Sequence, residues 1–265
     1  MTNWTPNRKL AVVTGASSGI GRCLCKRLVQ SQCQVIAVAR RRDRLEQLSQ
    51  EIRESVDGDS ANLIPLVGDI TDPETQQQIV DRVEALGRPL DLLINNAGIG
   101  GIGAFEDAQL SRLRRIMEVN FIAPAELTRR LLPALRSSPD AVICNIGSVL
   151  GHRAVPDKSE YCASKFAMHG WSDSLRSELA GTNVSVTLVS PSTTRSEFFD
   201  VLVESDSDTQ SKSIGSWPAD RVAAATLSAI RRHRAEVILS VGGKLLVYAD
   251  RICPPLMNWL LRKRS

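Results

Sequence analysis

Tyr161-Cys-Ala-Ser-Lys165 places a phenol and an ammonium four residues apart. In a helix that spacing sets both on one face, one turn from each other. A phenol with a pKa near ~10 is a poor proton exchanger at neutral pH. A neighbouring ammonium favours the phenolate and brings that value down, which is the tuning a general acid/base needs. Alone the pair carries little weight, because it arises by chance in many helices. A hydroxyl adds to it. Ser148, in Cys144-Asn-Ile-Gly-Ser148, stands 13 residues before Tyr161, directly after an apolar strand-like run. A serine there faces the same crevice.

A second group of residues has the chemistry of phosphate binding. Gly15, Ser17, Ser18, Gly19, Ile20 and Gly21 lie in Thr14-Gly-Ala-Ser-Ser-Gly-Ile-Gly21, between a strand and a helix. Glycines allow a tight turn and close approach of the backbone to a pyrophosphate. The helix start offers unpaired N–H groups and a positive dipole end. The spacing is GxxxGxG, where the standard dinucleotide fingerprint is GxGxxG. A plain strand-to-helix turn would read the same way.

After the second strand, an Asp or Glu would bind the ribose 2′-hydroxyl of NAD. This chain has Ala39-Arg40-Arg41-Arg42 instead. Without a carboxylate to repel it, a 2′-phosphate can be clamped by the guanidinium groups of Arg40 and Arg41. A solvated basic helix start is the alternative, although basic residues there oppose the helix dipole. The expected cofactor is NADP(H).

These groups need a scaffold. Lys9–Thr14, Gln34–Ala39, Leu63–Val67, Leu92–Ile94, Ala141–Cys144, Val184–Val189 and Glu236–Ser240 read as about seven strands, with helical stretches between them, among them Gly19–Gln30, Arg41–Ser55 and Glu160–Leu179. Continuously apolar strands joined by helices predict an α/β fold, a Rossmann-type doubly wound parallel sheet with helices on both faces. Its ligand crevice lies at the C-terminal ends of the strands. The 265 residues, 43% hydrophobic, suit a single such domain spanning 1–265.

The net charge of +4, from 33 basic and 29 acidic residues, is too small to argue for nucleic acid. The six cysteines form no CxxC pair and no cluster with zinc spacing, so no metal is expected. They read as buried reduced thiols. Met1–Leu10 lacks the apolar core of a secretory signal, and no apolar run reaches the ~18 residues of a spanning helix. The expected compartment is the cytoplasm.

Asn95-Asn-Ala-Gly98 follows the fourth strand. Together, TGxxxGIG, NNAG, the post-strand serine and YxxxK resemble the short-chain dehydrogenase/reductase family, from about Lys9 to Ser240. The resemblance implies hydride transfer between nicotinamide and a carbonyl or alcohol carbon, with Asn120, Ser148, Tyr161 and Lys165 as the catalytic tetrad. Tyr161 would exchange the proton, Ser148 hold the substrate oxygen, Lys165 bind the nicotinamide ribose, and Asn120 hold a water through its carbonyl. It also implies cofactor contacts at Asp69 and Ile70, at Asn96, Ala97 and Gly98, and at Pro191 and Thr194. Where the family has Pro-Gly and then Thr, this chain has Pro191-Ser192, with Ser196 near the usual Thr. Pro124 bears on Asn120 independently: it has no N–H, so the carbonyl four residues back loses its helical partner. An ordinary proline kink would look the same.

The family's substrate lid falls at about 198–217. Phe198, Phe199, Val201, Leu202 and Val203 make its start apolar, which suits a lipophilic ketone, aldehyde or secondary alcohol and equally a segment covering the core. The rest, from Val203 to Ser216, is polar and low in complexity. His152 stands close enough in sequence to be a pocket candidate. The stretches Leu110–Leu135 and Ala163–Leu179 are apolar on more than one face, the second through Ala163, Ala167, Trp171, Leu175 and Leu179 with Met168 beside them, which predicts a homodimer or homotetramer. The tail from Lys244 to Ser265 is apolar with a basic end. It reads as packed on its own domain or a partner subunit, or as peripheral contact with a membrane. The competing function is a catalytically idle dinucleotide sensor or scaffold. The intact Ser148, Tyr161 and Lys165 argue against it.

Overall fold

The computed structural model describes residues 3–55, 62–192, 194–195 and 216–262. Most of the expected lid, 198–215, lies outside them.

Seven parallel strands form the central sheet, in the order β3-β2-β1-β4-β5-β6-β9. They are β1 (Leu10–Thr14), β2 (Gln34–Ala39), β3 (Leu63–Val67), β4 (Leu92–Asn95), β5 (Ala141–Ile146), β6 (Val184–Ser190) and β9 (Glu236–Ile238). The order reverses between β1 and β4, paired in the register Val13–Ile94. A crevice opens at such a switch point, beyond the strands' C-terminal ends.

The apolar runs are explained by double coverage. All five residues of β1 are buried, and alternate side chains go to opposite faces. Ala11 and Val13 join a core with α1 (Gly19–Gln30), α2 (Arg42–Ser55) and α7 (Ala219–Arg231). Leu10 and Val12 join the other, with α3 (Pro73–Ala85), α5 (Ala123–Arg136) and α6 (Ser159–Glu178). A short ladder of β7 (Thr194–Arg195) and β8 (Trp217–Pro218) stands apart.

Three features of the elements bear on the sequence expectations. First, α4 (Leu110–Met117) runs into a π-helical turn, Glu118–Ile122, before α5. Pro124 cannot donate to the carbonyl of Asn120, and the wider turn falls where that bond is missing. Second, the expected strand to Ser240 stops at Ile238. The Ser240 hydroxyl instead accepts from Gly243 N (3.0 Å), capping α8 (Val241–Ile252). Third, the apolar stripe on α6 divides. Leu175, Leu179 and Met168 are buried, whereas Ala163 is exposed and Ala167 and Trp171 are half-buried.

The tail is helical. After α8, Cys253 leaves the helical region (φ −141°, ψ 74°) because a proline follows. Then α9 (Pro254–Arg262) begins. Val247 and Met257 are buried, and Val247 packs with Val149 and Ile238, so this end of the chain rests on its own subunit. Among the described residues, no helix is long and apolar enough to cross a membrane. The cysteines are free, but not all are buried as expected: Cys253 is exposed and Cys23 partly so.

Candidate active site

The glycine turn is built for close backbone approach. Gly15 and Gly19 have φ of +68° and +53°, values that cost a side chain-bearing residue free energy. A Cβ on Gly21 would lie 2.3 Å from the Gly15 carbonyl oxygen. Ser18, at the N-cap of α1, makes no side-chain capping bond, and the first turn carries no acidic residue. The leading N–H groups of α1 therefore face the crevice uncapped by side chains, which fits an anionic ligand.

The fourth-strand motif is fastened to this turn. Thr14 Oγ1 accepts from the N–H groups of Asn96 (3.0 Å) and Ala97 (3.1 Å), and the Asn96 amide donates to the Thr14 carbonyl at 2.9 Å. The motif TGxxxGIG begins with this threonine, yet its linking role was not read from the sequence. Asn95 points away, donating to Asn145 Oδ1 and Thr128 Oγ1 in a buried network completed by Ser172.

The two arginines after β2 separate. Arg41 donates to Ser17 Oγ at 3.2 Å, over the glycine turn. Arg40 lies 3.6 Å from Asp69, which also meets Arg115 at 3.5 Å. Partial burial works to raise the Asp69 carboxyl, but hydrogen bonds from Thr71 and the two guanidinium groups prevail and hold it below its ordinary value. Ile70, next in the chain, is buried.

The four residues of the expected tetrad converge at the ends of β4 and β5. The phenol of half-buried Tyr161 is hydrogen-bonded to Ser148. Ser148 Oγ also accepts from Leu150 N (3.1 Å), at the start of the 3₁₀ turn Val149–Gly151. Lys165 Nζ donates to the Ile146 carbonyl (2.9 Å) and sits 5.7 Å from the centre of the Tyr161 ring. Asn120 is buried: Ile99 N donates to its Oδ1 (2.8 Å), and its amide donates to Ile99 O (2.9 Å) and Ser164 Oγ (3.0 Å). A Cβ on Gly98 would lie 3.2 Å from Asn120 Oδ1 and 3.8 Å from Lys165 Nζ, so Gly98 marks where the two approach.

The electrostatics correct one expectation. The ammonium does not bring the phenol down in the protein itself. Burial raises the Tyr161 pKa to about 12, with the Ser148 hydrogen bond pulling the other way. Burial also depresses Lys165 to about 8. Desolvation is the largest influence on both groups.

Around these groups, the Pro191 carbonyl accepts from Val149 N (3.0 Å), and Thr194 Oγ1 donates to Ser192 O (3.3 Å). Ser196, near the family's usual threonine, lies outside the described residues. His152 turns away from the tetrad: its Nε2 lies 3.0 Å from Ser190 Oγ. Beneath Tyr161 an ion pair escaped notice in the sequence. Arg112 Nε donates to Glu160 Oε1 at 2.9 Å, with both side chains almost fully buried. Neither residue lies in a recognised motif.

A doubly wound sheet, a glycine turn at its switch point and a Ser-Tyr-Lys group beside it define a dinucleotide-dependent dehydrogenase class. Residues 9–207 match the family model described as short chain dehydrogenase, and the chain belongs to the short-chain dehydrogenase/reductase family of oxidoreductases. A Drosophila melanogaster protein named "Dehydrogenase/reductase SDR family protein 7-like" is 34% identical, over 97% of this chain and 80% of its own. "Ketoacyl reductase HetN" of Nostoc is 30% identical, over 96% and 88%. A short chain dehydrogenase from Burkholderia cenocepacia, solved in complex with NADP, superposes with a TM-score of 0.81 at 25% identity, covering 97% of this chain and 99% of its own.

Proposed function

We propose that the protein is an NADP(H)-dependent reductase or dehydrogenase acting on a lipophilic ketone, aldehyde or secondary alcohol. The observation that carries this reading is the convergence of the Tyr161 phenol, the Ser148 hydroxyl and the Lys165 ammonium beside Gly98, at the crevice end of the sheet. The whole of 1–265 acts as one dehydrogenase domain, with about 198–217 as its lid and 244–265 as an apolar extension.

The residues fit the cofactor. Uncapped N–H groups of α1 and the close-packed glycines suit a pyrophosphate. Arg41 over Ser17 suits a 2′-phosphate. Asp69, Ile70, Asn96 and Ala97 would flank the adenosine half, and Pro191 and Thr194 the nicotinamide end. When bound, NADP(H) supplies the hydride or accepts it.

The protein's own part is proton handling and positioning. A phenol held at about 12 remains protonated at neutral pH, so Tyr161 is poised to protonate a substrate oxygen during carbonyl reduction. Ser148 orients that oxygen with a hydrogen bond. Lys165, fixed by the Ile146 carbonyl, brings positive charge beside the phenol as it loses its proton. Asn120 spends its side chain on Ile99 and Ser164, and its backbone carbonyl, in the π turn ahead of Pro124, holds a water of the proton path. The relative named a ketoacyl reductase supports the carbonyl-reducing direction.

The test is NADPH consumption measured against steroids, retinoids, acyl ketones and sugars. Turnover concentrated among the lipophilic carbonyls supports the proposal. NADPH binding with no turnover on any of them would instead favour a dinucleotide sensor.

A further inference from the structure

Two of the chain's three histidines meet outside the catalytic group. His152 follows the 3₁₀ turn after Ser148, and His169 stands one helical turn beyond Lys165 on α6. Their ring centres are 4.3 Å apart. Glu236, the first residue of β9, completes the cluster, its Oε1 lying 3.0 Å from His152 Nε2 and 3.9 Å from His169 Nε2.

The hydrogen bonds orient these rings. His169 Nδ1 lies 3.1 Å from the Gly151 carbonyl oxygen. A carbonyl only accepts, so Nδ1 carries a proton. On the neutral ring Nε2 is then a lone pair, and it faces Glu236 Oε1 together with Asp173 Oδ2 at 3.4 Å. Glu236 Oε1 is itself buried, and His152 Nε2, 3.0 Å from it and from Ser190 Oγ, carries the proton between them. The His169 lone pair and the Glu236 and Asp173 carboxylates thus converge on a partly buried point where a metal would displace that single proton to His152 Nδ1.

We propose that His152, His169 and Glu236 form a divalent-metal site whose chemistry suits zinc. Their ligand atoms all lie within 4.8 Å of one another. Ligands about 2.1 Å from a tetrahedral zinc stand roughly 3.4 Å apart, so pairs of ligand atoms need close by at most about 1.4 Å to come into range. Two imidazoles and a carboxylate are a common zinc donor set. The Gly151 carbonyl acts as the outer partner that fixes a ligand imidazole's tautomer. Asp173, at the exposed rim, or a water takes the fourth position. Access is available: the His152 side chain is 2% exposed, but His169 and Glu236 are 19% and 27% exposed. Arg251 Nη2, 3.5 Å from His152 Nδ1, belongs to an exposed residue and swings aside when that nitrogen takes up the proton. The ion would tie the loop after Ser148 to α6 and β9. No spacing in the sequence announces the set, because loop, helix and strand each contribute one ligand. The inference does not depend on the proposed reaction.

The test is zinc binding by the full-length protein, stripped with EDTA and titrated with zinc against a chromophoric chelator. Cobalt substitution serves as a second readout of tetrahedral coordination through its visible absorption. One tightly bound equivalent is expected, weakened at least ~10-fold in Glu236→Gln and in His169→Ala, and retained in Cys253→Ala. Zinc should raise the melting temperature of the wild type and not that of Glu236→Gln. No bound equivalent in the wild type, or equal binding by the wild type and Glu236→Gln, would overturn the proposal.

Discussion

The Arg41 guanidinium donates to the Ser17 hydroxyl at 3.2 Å, while its neighbour Arg40 turns to the Asp69 carboxylate at 3.6 Å. One arginine therefore lies over the glycine turn, and the other has its charge partly neutralised. Arg41→Ala is expected to weaken NADPH far more than NADH. A charge-assisted phosphate contact of ~1.5–3 kcal/mol implies about a tenfold to hundredfold effect, and Arg40→Ala should show less. Fluorescence titration with both cofactors checks this. Equal losses for NADPH and NADH in Arg41→Ala would contradict the assignment.

Tyr161→Phe removes the proton while keeping the ring. Turnover should fall at least ~100-fold, the low end of general acid–base contributions, and NADPH affinity should barely change. Near-normal turnover in this variant would remove Tyr161 from the mechanism.

Arg112 and Glu160 give a stability prediction. Both are almost fully buried, at 3% and 1% side-chain exposure. Removing one partner strands a charge, so Arg112→Met should cost about 3–5 kcal/mol. Burial works to raise the Glu160 carboxyl, but its own backbone N–H, Arg112 and Ser159 hold it below its ordinary value. The folded pKa therefore lies under the unfolded one. The resulting stability is present above the unfolded pKa and is lost as the pH falls through the folded one. Denaturant melts of wild type and Arg112→Met between neutral and acidic pH should converge as the pH drops. A constant difference across that range would rule out a charge-based origin.

The strands and the tetrad were legible because their signals are local. Continuous Val, Ile and Leu runs mark doubly covered strands, and Tyr161 and Lys165 lie one turn apart. Other features depend on distant partners. The charge state of Tyr161 follows from its burial, which a YxxxK motif does not encode. The divergence of Arg40 and Arg41 requires Asp69 and Ser17, brought near by two different strand ends. Thr14 looks like an ordinary strand residue until Asn96 and Ala97 arrive from β4. Which part of the α6 stripe meets the sheet depends on distant partners in the same way: Leu175 and Leu179 do, a contact periodicity alone cannot assign.

Exposed apolar residues beside that stripe yield an oligomer prediction. Phe166 and Ile122 are exposed on neighbouring elements, beside an edge-to-face pair of Phe121 and Trp171 with centres 6.2 Å apart. A two-fold partner would cover them, α6 against α6. Sedimentation should find a dimer or a tetramer, and Phe166→Asp should shift it toward monomer at micromolar concentration. A monomeric wild type would end this idea.

The last prediction concerns the outer face of the tail. Val241, Leu245, Tyr248 and Ile252 are all at least half exposed and recur at the spacing of one helical face on α8; Leu256, Trp259 and Leu260 continue the apolar surface on α9. The inner face is already taken, by Val247, Met257 and the Asp250–Arg153 ion pair at 2.9 Å. From Lys244 onward the chain has five basic residues and one acidic, and that acid is the paired Asp250. Two helices too short to span, apolar outside, bearing Tyr and Trp and carrying excess positive charge, fit the plane of an anionic lipid surface. The full-length protein should co-sediment with vesicles containing phosphatidylserine and not with phosphatidylcholine alone. Binding should weaken as salt rises, because the electrostatic part is screened. Ile252→Glu combined with Leu256→Glu should abolish it while leaving the melting temperature nearly unchanged, since both side chains are exposed. If that double variant instead dissociated an oligomer, and the wild type ignored the vesicles, the face would belong to a second copy of the chain and not to lipid.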